Sequence, residues 1–397
     1  PMFAGAAARA EQARTYSPGS LRPETARALY GAELHFSSSR IDVLAGCRFA
    51  HFLQYGLRAQ EREPAEFDSR FYGTFVHDVL EYIVQQTERE GGFAAVPRSR
   101  VQELAQERME QNAQTLLETF PDSGRTGYLL RRTFDEVTQV VDELYDELSV
   151  SAFRPKFCEL EFSAHGALPG VAFAGERCRG VVEGFVDRVD VWQSGGRPYV
   201  RVVDYKTGKK SFDYTNVLHG RGLQMLLYLF ALVRQGGHLL HGEPLPAGVL
   251  YFPARIERVS VRDRLAQAEI EKERRKQLRR SGVLLNSDPV LEAMEPCGGS
   301  PRFLPYTLDK EGRKTGDLAS FAQLAQLERF VFQTVAALGD ELADGRIDPD
   351  PCIRDAKDSA CAFCPYSEVC AGHEQPRWLK KITAEEFWQT LERREHG

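Results

Sequence analysis

The chain has 397 residues, 42% of them apolar and 27% charged, with a formal net charge of −6. That length buries a large core and holds one big domain or two modest ones, and the acidic balance argues against broad coating of nucleic acid while leaving room for a locally positive groove. No run of about 18 apolar residues occurs and no basic-then-apolar leader opens the chain, so neither a membrane span nor a secretion signal is expected. The first residue is Pro1 rather than Met, as in an excised piece of a longer polypeptide or a processed product.

Residues 1–35, rich in Ala and Arg, read as a lead-in. Ser37, Ser38 and Ser39 cap a helix running through Ile41, Leu44 and Phe49, which carries Cys47. The apolar period predicts a helix over 71–90, where His77 and Glu81 share a face, and two further helices within 101–148. From Phe157 to Lys206 the period changes from 3.6 to 2, predicting three or four strands. Leu223 to Val233 reads as a strongly apolar helix and Val249 to Phe252 as a short buried strand. The Arg, Lys and Glu mixture of 255–281 reads as a solvated helix, and 317–344 as a long amphipathic helix ahead of a cysteine-rich coil. Neither G-x-x-x-x-G-K-[ST] nor G-x-G-x-x-G occurs, so nothing marks an ATP or dinucleotide site.

The strongest local signal is a hairpin. Two alternating runs flank Gly195 and Gly196, and a two-residue turn there sets Ser194 against Arg197 and Asp187 against Asp204. Lys206 then lies two residues along on the same face. Two like charges set opposite each other on a sheet are unfavourable, and a divalent cation between them removes the problem. Asp187 and Asp204 would bind Mg²⁺ (or Mn²⁺), with the Tyr205 backbone carbonyl as a further ligand and His77 as another. Lys206 would orient or deprotonate the attacking water and offset charge growing on a phosphate. On the following helix Gln224 would face the site and Tyr228 would sit near nucleic acid or Lys206. Glu81 is expected to face solvent or support His77, with direct ligation left open. An isolated D-x-K is common; its weight comes from the order His, Asp, D-x-K, Q-x-x-x-Y along the chain.

The second signal is Cys361-x-x-Cys364-x5-Cys370. Thiolates this close converge on one metal centre whose fourth ligand must come from elsewhere, with Cys47 the best candidate. Joining it to the C-terminal trio closes a loop of roughly 300 residues, worth about 5 kcal/mol for an ideal chain. Structural Zn²⁺ is an alternative occupant, and Cys352 a poorer-spaced alternative ligand. Cys158, Cys178 and Cys297 read as buried small residues.

The runs Gly184 to Asp187, Asp204 to Gly208 and Gln224 to Tyr228, preceded by His77, resemble the PD-(D/E)xK nuclease superfamily, and within it the RecB-type branch. The one-plus-three cysteine pattern is similar to that of AddB-type nuclease domains. So are the stretches Leu29 to Gly31, Ser37 to Ile41, Cys47 to Leu57, Gly73 to Leu80, Val249 to Pro253, Ser281 to Met294 and Gly345 to Ile347. Arg48, where proline is expected after the cysteine, is a departure. The resemblance implies an α/β fold with a restriction-endonuclease-like mixed central sheet flanked by helices, helical insertions and a cysteine-rich subdomain. It divides 36–397 into a helical part (36–150), a catalytic core (157–253), a helical insertion (254–316) and a C-terminal helix with cluster coil (317–397). It further implies a Mg²⁺-dependent active site at His77, Asp187, Asp204 and Lys206, with Cys47, Cys361, Cys364 and Cys370 holding a [4Fe–4S] cluster.

In function, the resemblance implies a bacterial, cytoplasmic deoxyribonuclease domain that cuts unwound single strands at double-strand breaks, beside an AddA-type helicase–nuclease partner. Arg274, Arg275, Lys276, Arg279 and Arg280 would guide the strand, unless that segment is only a solvated helix. A free-standing RecB-like exonuclease and a non-catalytic DNA-end-binding scaffold are the alternatives.

Overall fold

Gly195 and Gly196 hold φ of 58° and 76°, values that a two-residue hairpin turn requires and that side chains resist. They join β4 (Arg179–Ser194) to β5 (Arg197–Lys206) in the expected register, Ser194 opposite Arg197 through Arg188 opposite Val203. The computed structural model describes residues 5–7, 9, 19–59, 69–119, 124–208, 211–256, 267–370 and 376–396.

Ahead of this hairpin lie α1 (Pro23–Tyr30), β1 (Leu34–Ser37), α2 (Ser38–Gly46), α3 (Arg48–His51), α4 (Ser69–Arg89), α5 (Arg98–Thr119), α6 (Gly124–Val150), β2 (Arg154–Phe162) and β3 (Val171–Ala174). The Ser37 hydroxyl caps α2 by accepting the Arg40 N–H at 3.2 Å. The helix expected to run on to Phe49 stops at Gly46, because Cys47 is extended (φ −163°, ψ 122°) and separates α2 from α3. The expected strands are four, β2 to β5.

β4 is long enough to serve two sets of neighbours. Residues Gly180–Glu183 pair in parallel with β1, and Arg188–Ser194 pair antiparallel with β5. β3 and β2 follow one another antiparallel to β4. Between the β1 and β5 ladders, Gly184, Phe185 and Val186 pair with β2 alone. Asp187 sits at the end of this interval, where the hairpin ladder has not yet closed.

After β5 the chain passes through α7 (Tyr214–Leu218), α8 (Gln224–Gln235) and α9 (Gly237–Leu240) before returning as β6 (Leu245–Pro253), parallel to β5. Such a crossover places a helix on the sheet and leaves the carboxyl ends of the parallel strands open to a ligand. Met225 to Leu232 are all buried, since α8 is covered by β5 and β6 on one side and by a later helix on another. β6 is longer than the expected Val249–Phe252.

The segment 254–316 is not purely helical. It holds α10 (Gln267–Gln277), β7 (Ser281–Leu285), α11 (Asp288–Met294), β8 (Tyr306–Leu308) and β9 (Lys314–Gly316), and β7 joins the main sheet antiparallel to β6. Part of the expected charged helix, 257–266, lies outside the described residues. β10 (Leu318–Ala319) completes the eight-stranded mixed sheet, followed by α12 (Phe321–Ala343), β11 (Cys352–Ile353), β12 (Arg377–Trp378) and α13 (Ala384–His396). A capping box of Ser320 and Gln323 starts α12, which packs against α8. The buried apolar residues of sheet and helices form one contiguous core.

Candidate active site

Tyr205 organises the carboxyl end of β5. Its backbone N–H donates to Asp187 Oδ2 at 2.7 Å, and its carbonyl accepts from His77 Nε2 at 2.9 Å. Its side chain faces away from these partners, where the hydroxyl accepts from Arg188 Nη1 at 3.0 Å. With His77 Nε2 acting as donor, Nδ1 is left 3.5 Å from Asp187 Oδ2. α4 thereby brings an imidazole, from more than a hundred residues upstream, onto the strand that carries the D-x-K sequence.

A carboxylate not anticipated from the sequence completes the group. The β2 ladder pairs Cys158 with Arg188 and Leu160 with Val186, which sets Glu159 opposite Asp187. Glu159 has φ of 47°, a left-handed backbone uncommon outside glycine. Ligand atoms of His77, Glu159 and Asp187 lie within 4.8 Å of one another. The signal that could have found Glu159 is the β2–β4 register, and no short turn fixes that register in the sequence.

The electrostatics are those of crowded carboxylates. Burial pushes Asp187 well above the ordinary carboxylate range, and the negative charges of Asp204 and Glu159 add to the shift. Glu159 is raised by burial, then by Glu81 and Asp204. His77 is lowered, chiefly by burial. Asp204 is buried, with Lys206 Nζ paired to its Oδ2. Lys206 Nζ also lies 5.7 Å from the Tyr251 ring centre on β6. Glu81 accepts from Gln85 at 2.8 Å; no hydrogen bond to His77 is seen among the described residues.

Under this face lies a buried ionic lattice. Arg188 and Arg201 both donate to Asp190, Arg201 and Arg280 both donate to Glu147, and all five side chains are buried. Burial alone would raise Glu147, but Arg280, Arg201 and Arg188 hold it down at about 2. Charges buried this deeply persist only when fully paired, so removing one partner is costly. The lattice meets the active site through the Arg188–Tyr205 contact.

Cys47, Cys361, Cys364 and Cys370 all line one cavity of about 80 Å³, walled otherwise by groups such as Phe49, Pro349 and Pro351. The extended backbone at Cys47 is what turns this residue out of the helix and toward the trio. Burial pushes its thiol up to about 11. Cys352 is buried elsewhere, its Sγ near the Ala45 carbonyl at 3.3 Å. Cys158, Cys178 and Cys297 are half-buried rather than buried. Arg48, in place of the expected proline, is itself a tie: its N–H donates to Asp350 at 3.1 Å, and its guanidinium pairs with Glu341 and Asp350.

A family model for the PD-(D/E)XK nuclease superfamily matches residues 35–371. The chain belongs to that superfamily. Its curated relatives include a B-type subunit of an ATP-dependent helicase/deoxyribonuclease from Moorella thermoacetica, 34% identical over 88% of this chain and 31% of the relative. Proteins of the same name from Caldanaerobacter subterraneus and Oceanobacillus iheyensis are 31% and 28% identical, over 88% and 89% of this chain. The chain spans about a third of the length of these relatives.

Within this PD-(D/E)XK core several expectations change. Asp187 and Asp204 lie one position past the last paired residues of the hairpin ladder, Arg188 and Val203, and the Asp204 charge still acts on Asp187. The Asp187 carboxylate takes the Tyr205 N–H that a longer ladder would use. Tyr228 is buried and away from solvent: its ring stacks on Phe162 at 4.9 Å and its hydroxyl donates to the Glu183 carbonyl at 3.3 Å. Gly184 makes this possible, having φ of 153° and no side chain to meet the Tyr228 hydroxyl. Gln224 begins α8 and is half-buried.

The expected strand-guiding cations divide. Arg280 is buried in the ionic lattice, and Arg279 donates to the Leu304 and Tyr306 carbonyls, so neither is free to meet a phosphate. Arg275 and Lys276 are exposed on α10, close to Glu271 and Glu273 respectively, and Arg274 is half-exposed. No described helix is long and apolar enough to cross a membrane.

Proposed function

We propose that this chain is a Mg²⁺-dependent deoxyribonuclease domain that cuts single strands released by unwinding, as part of a bacterial helicase–nuclease acting in recombinational repair. The observation that carries this is the convergence of His77, Glu159 and Asp187 beside buried Asp204 and its half-buried partner Lys206. Superfamily membership supports hydrolysis of a phosphodiester, and the relatives' printed names support DNA as the substrate.

The donor set fits a hard divalent cation. His77, Glu159 and Asp187 already lie within one coordination shell's reach, and burial makes their accumulated negative charge unfavourable without a cation. Asp204 and the Tyr205 carbonyl would complete the set. When bound, Mg²⁺ (or Mn²⁺) would supply charge stabilisation for the phosphate and lower the cost of ionising water. The chain's own groups do the rest. Lys206 Nζ orients the attacking water and donates toward the phosphate oxygen that gains charge. Asp204 holds that ammonium in place, and the Tyr205 backbone fixes His77 and Asp187 relative to each other.

The four cysteines fit a [4Fe–4S] cluster. All line one small cavity, and their one-plus-three spacing resembles that of AddB-type nuclease domains. The cluster would fasten 47–51 to 349–370 without taking part in cleavage.

Coverage of a third of the relatives favours one domain of a larger subunit, with an AddA-type partner in the bacterial cytoplasm, over a free-standing exonuclease. The test is cleavage of end-labelled single-stranded DNA with and without Mg²⁺, comparing the parent with Asp204→Ala. Metal-dependent cutting by the parent alone is expected; equal cutting by both removes the site, and cutting by neither favours the scaffold reading.

A further inference from the structure

β6 carries two aromatic residues in succession, and the pleat sends them to opposite sides of the sheet. Phe252 is the register partner of Tyr205. Its ring meets the Tyr205 ring edge-on at 5.5 Å, and the Arg280 guanidinium lies 4.1 Å from its centre, so it belongs to the side of the buried ionic lattice. Tyr251 is the register partner of Asp204 and therefore shares the face of Asp204 and Lys206. Its ring is 4% exposed, and its centre lies 5.7 Å from Lys206 Nζ.

The Lys206 side chain needs such a neighbour. Its backbone is fixed, since β5 pairs with β6 as far as Lys206 and Pro253, and the Lys206 carbonyl accepts the Ala254 N–H at 2.8 Å. Beyond Cα the lysine stem is flexible and ends in a compact charge. Asp204 pairs with Nζ from one direction. A single carboxylate leaves the ammonium free to swing about that contact, and the Tyr251 ring closes a second direction. An aliphatic side chain of similar volume would fill the space equally well, but it would set a partly desolvated cation against a wall with no compensating charge. The face of an aromatic ring is negative and attracts a cation at this distance. Burial pushes the Tyr251 hydroxyl upward, and the Asp204 and Asp42 charges add to the shift, so the ring remains a neutral phenol.

We propose that Tyr251 is a positioning residue for Lys206: its ring face and the Asp204 carboxylate together hold the ammonium at the carboxyl end of β5, where the phosphate is attacked. The proposal rests on the nuclease reading and adds the group that fixes the lysine. It uses the ring face and not the hydroxyl, so phenylalanine should serve as well as tyrosine.

The test compares the full chain with Tyr251→Phe and with a third form carrying pentafluorophenylalanine at the same position, a ring of similar shape whose face has the opposite sign. Single-turnover cleavage of end-labelled single-stranded DNA is measured at saturating Mg²⁺, and acetylation of Lys206 by acetic anhydride is followed without metal by mass spectrometry. Tyr251→Phe is expected to match the parent in both. The fluorinated ring is expected to slow cleavage about tenfold, to leave the DNA concentration for half-maximal rate unchanged, and to speed Lys206 acetylation. In a Lys206→Ala background it should cause no further loss, because a residue that acts through Lys206 then has nothing to position. A purely structural role gives the same loss in both backgrounds and overturns the proposal. With a parent that cuts, unchanged cleavage or unchanged acetylation on fluorination overturns it and leaves the nuclease reading intact. An equal loss in Tyr251→Phe moves the role to the hydroxyl and also overturns it. If acetylation follows the ring and the parent does not cut, the nuclease reading fails and the Tyr251–Lys206 contact stands.

Discussion

Glu159 and Asp187 face each other across β2 and β4, one held in left-handed backbone and the other bound to the Tyr205 N–H. This pairing places two carboxylates where the β4–β5 ladder has not yet formed. We predict that Glu159→Gln weakens Mg²⁺ binding about tenfold by titration calorimetry, in the range of groups that support a metal site. It should also raise the thermal midpoint of the metal-free chain, because one crowding charge is gone. Unaltered Mg²⁺ affinity would remove Glu159 from the site.

Lys206→Ala should reduce cleavage about a thousandfold, the combined scale of proton transfer and charge stabilisation. Mg²⁺ binding and the thermal midpoint should largely survive, since Lys206 is half-exposed at a strand end. Retained turnover in single-turnover assays would take Lys206 out of the mechanism.

The raised Asp187 carboxyl gives a pH dependence of definite sign. Its folded-state value lies above its unfolded value, so its contribution to stability is fully present below the unfolded value and is lost as pH rises through the folded one. Mg²⁺ binds the ionised group. The increase in thermal midpoint caused by Mg²⁺ should therefore grow from mildly acidic to mildly alkaline pH and shrink in Asp187→Asn. A metal-induced increase that stays flat with pH in the parent would contradict this.

Gly184 and Tyr228 should behave as one unit. Gly184→Ala places a methyl group against the Tyr228 hydroxyl and adds backbone strain at φ of 153°, at a cost of about 2–3 kcal/mol. Tyr228→Phe alone loses one hydrogen bond, about 1 kcal/mol, and keeps cleavage. In the double variant the two losses should be less than additive by chemical denaturation. Strict additivity would mean that the two residues do not meet.

Cys364→Ser should lower the iron content of anaerobically purified protein and the thermal midpoint together. Loss of the staple is limited by the loop-closure figure of about 5 kcal/mol, and the Arg48 pairs to Glu341 and Asp350 would retain part of the docking. Iron at parental levels, or zinc alone in the parent, would refute the cluster.

Local rules carried much of this protein. A glycine pair fixed the hairpin and its register, because two-residue turns leave little choice, and the apolar periods placed the helices around it. The spacing of Cys361, Cys364 and Cys370 implied convergence, since near neighbours in sequence cannot be far apart in space. The tertiary structure decided what depends on distant elements meeting. It set Glu159 against Asp187, turned Tyr228 into a buried brace for Gly184, and withdrew Arg280 into an ionic lattice with Glu147. None of these has a short-range signature, because a charge or a ring reads the same in sequence whether the fold buries it, pairs it or leaves it facing water.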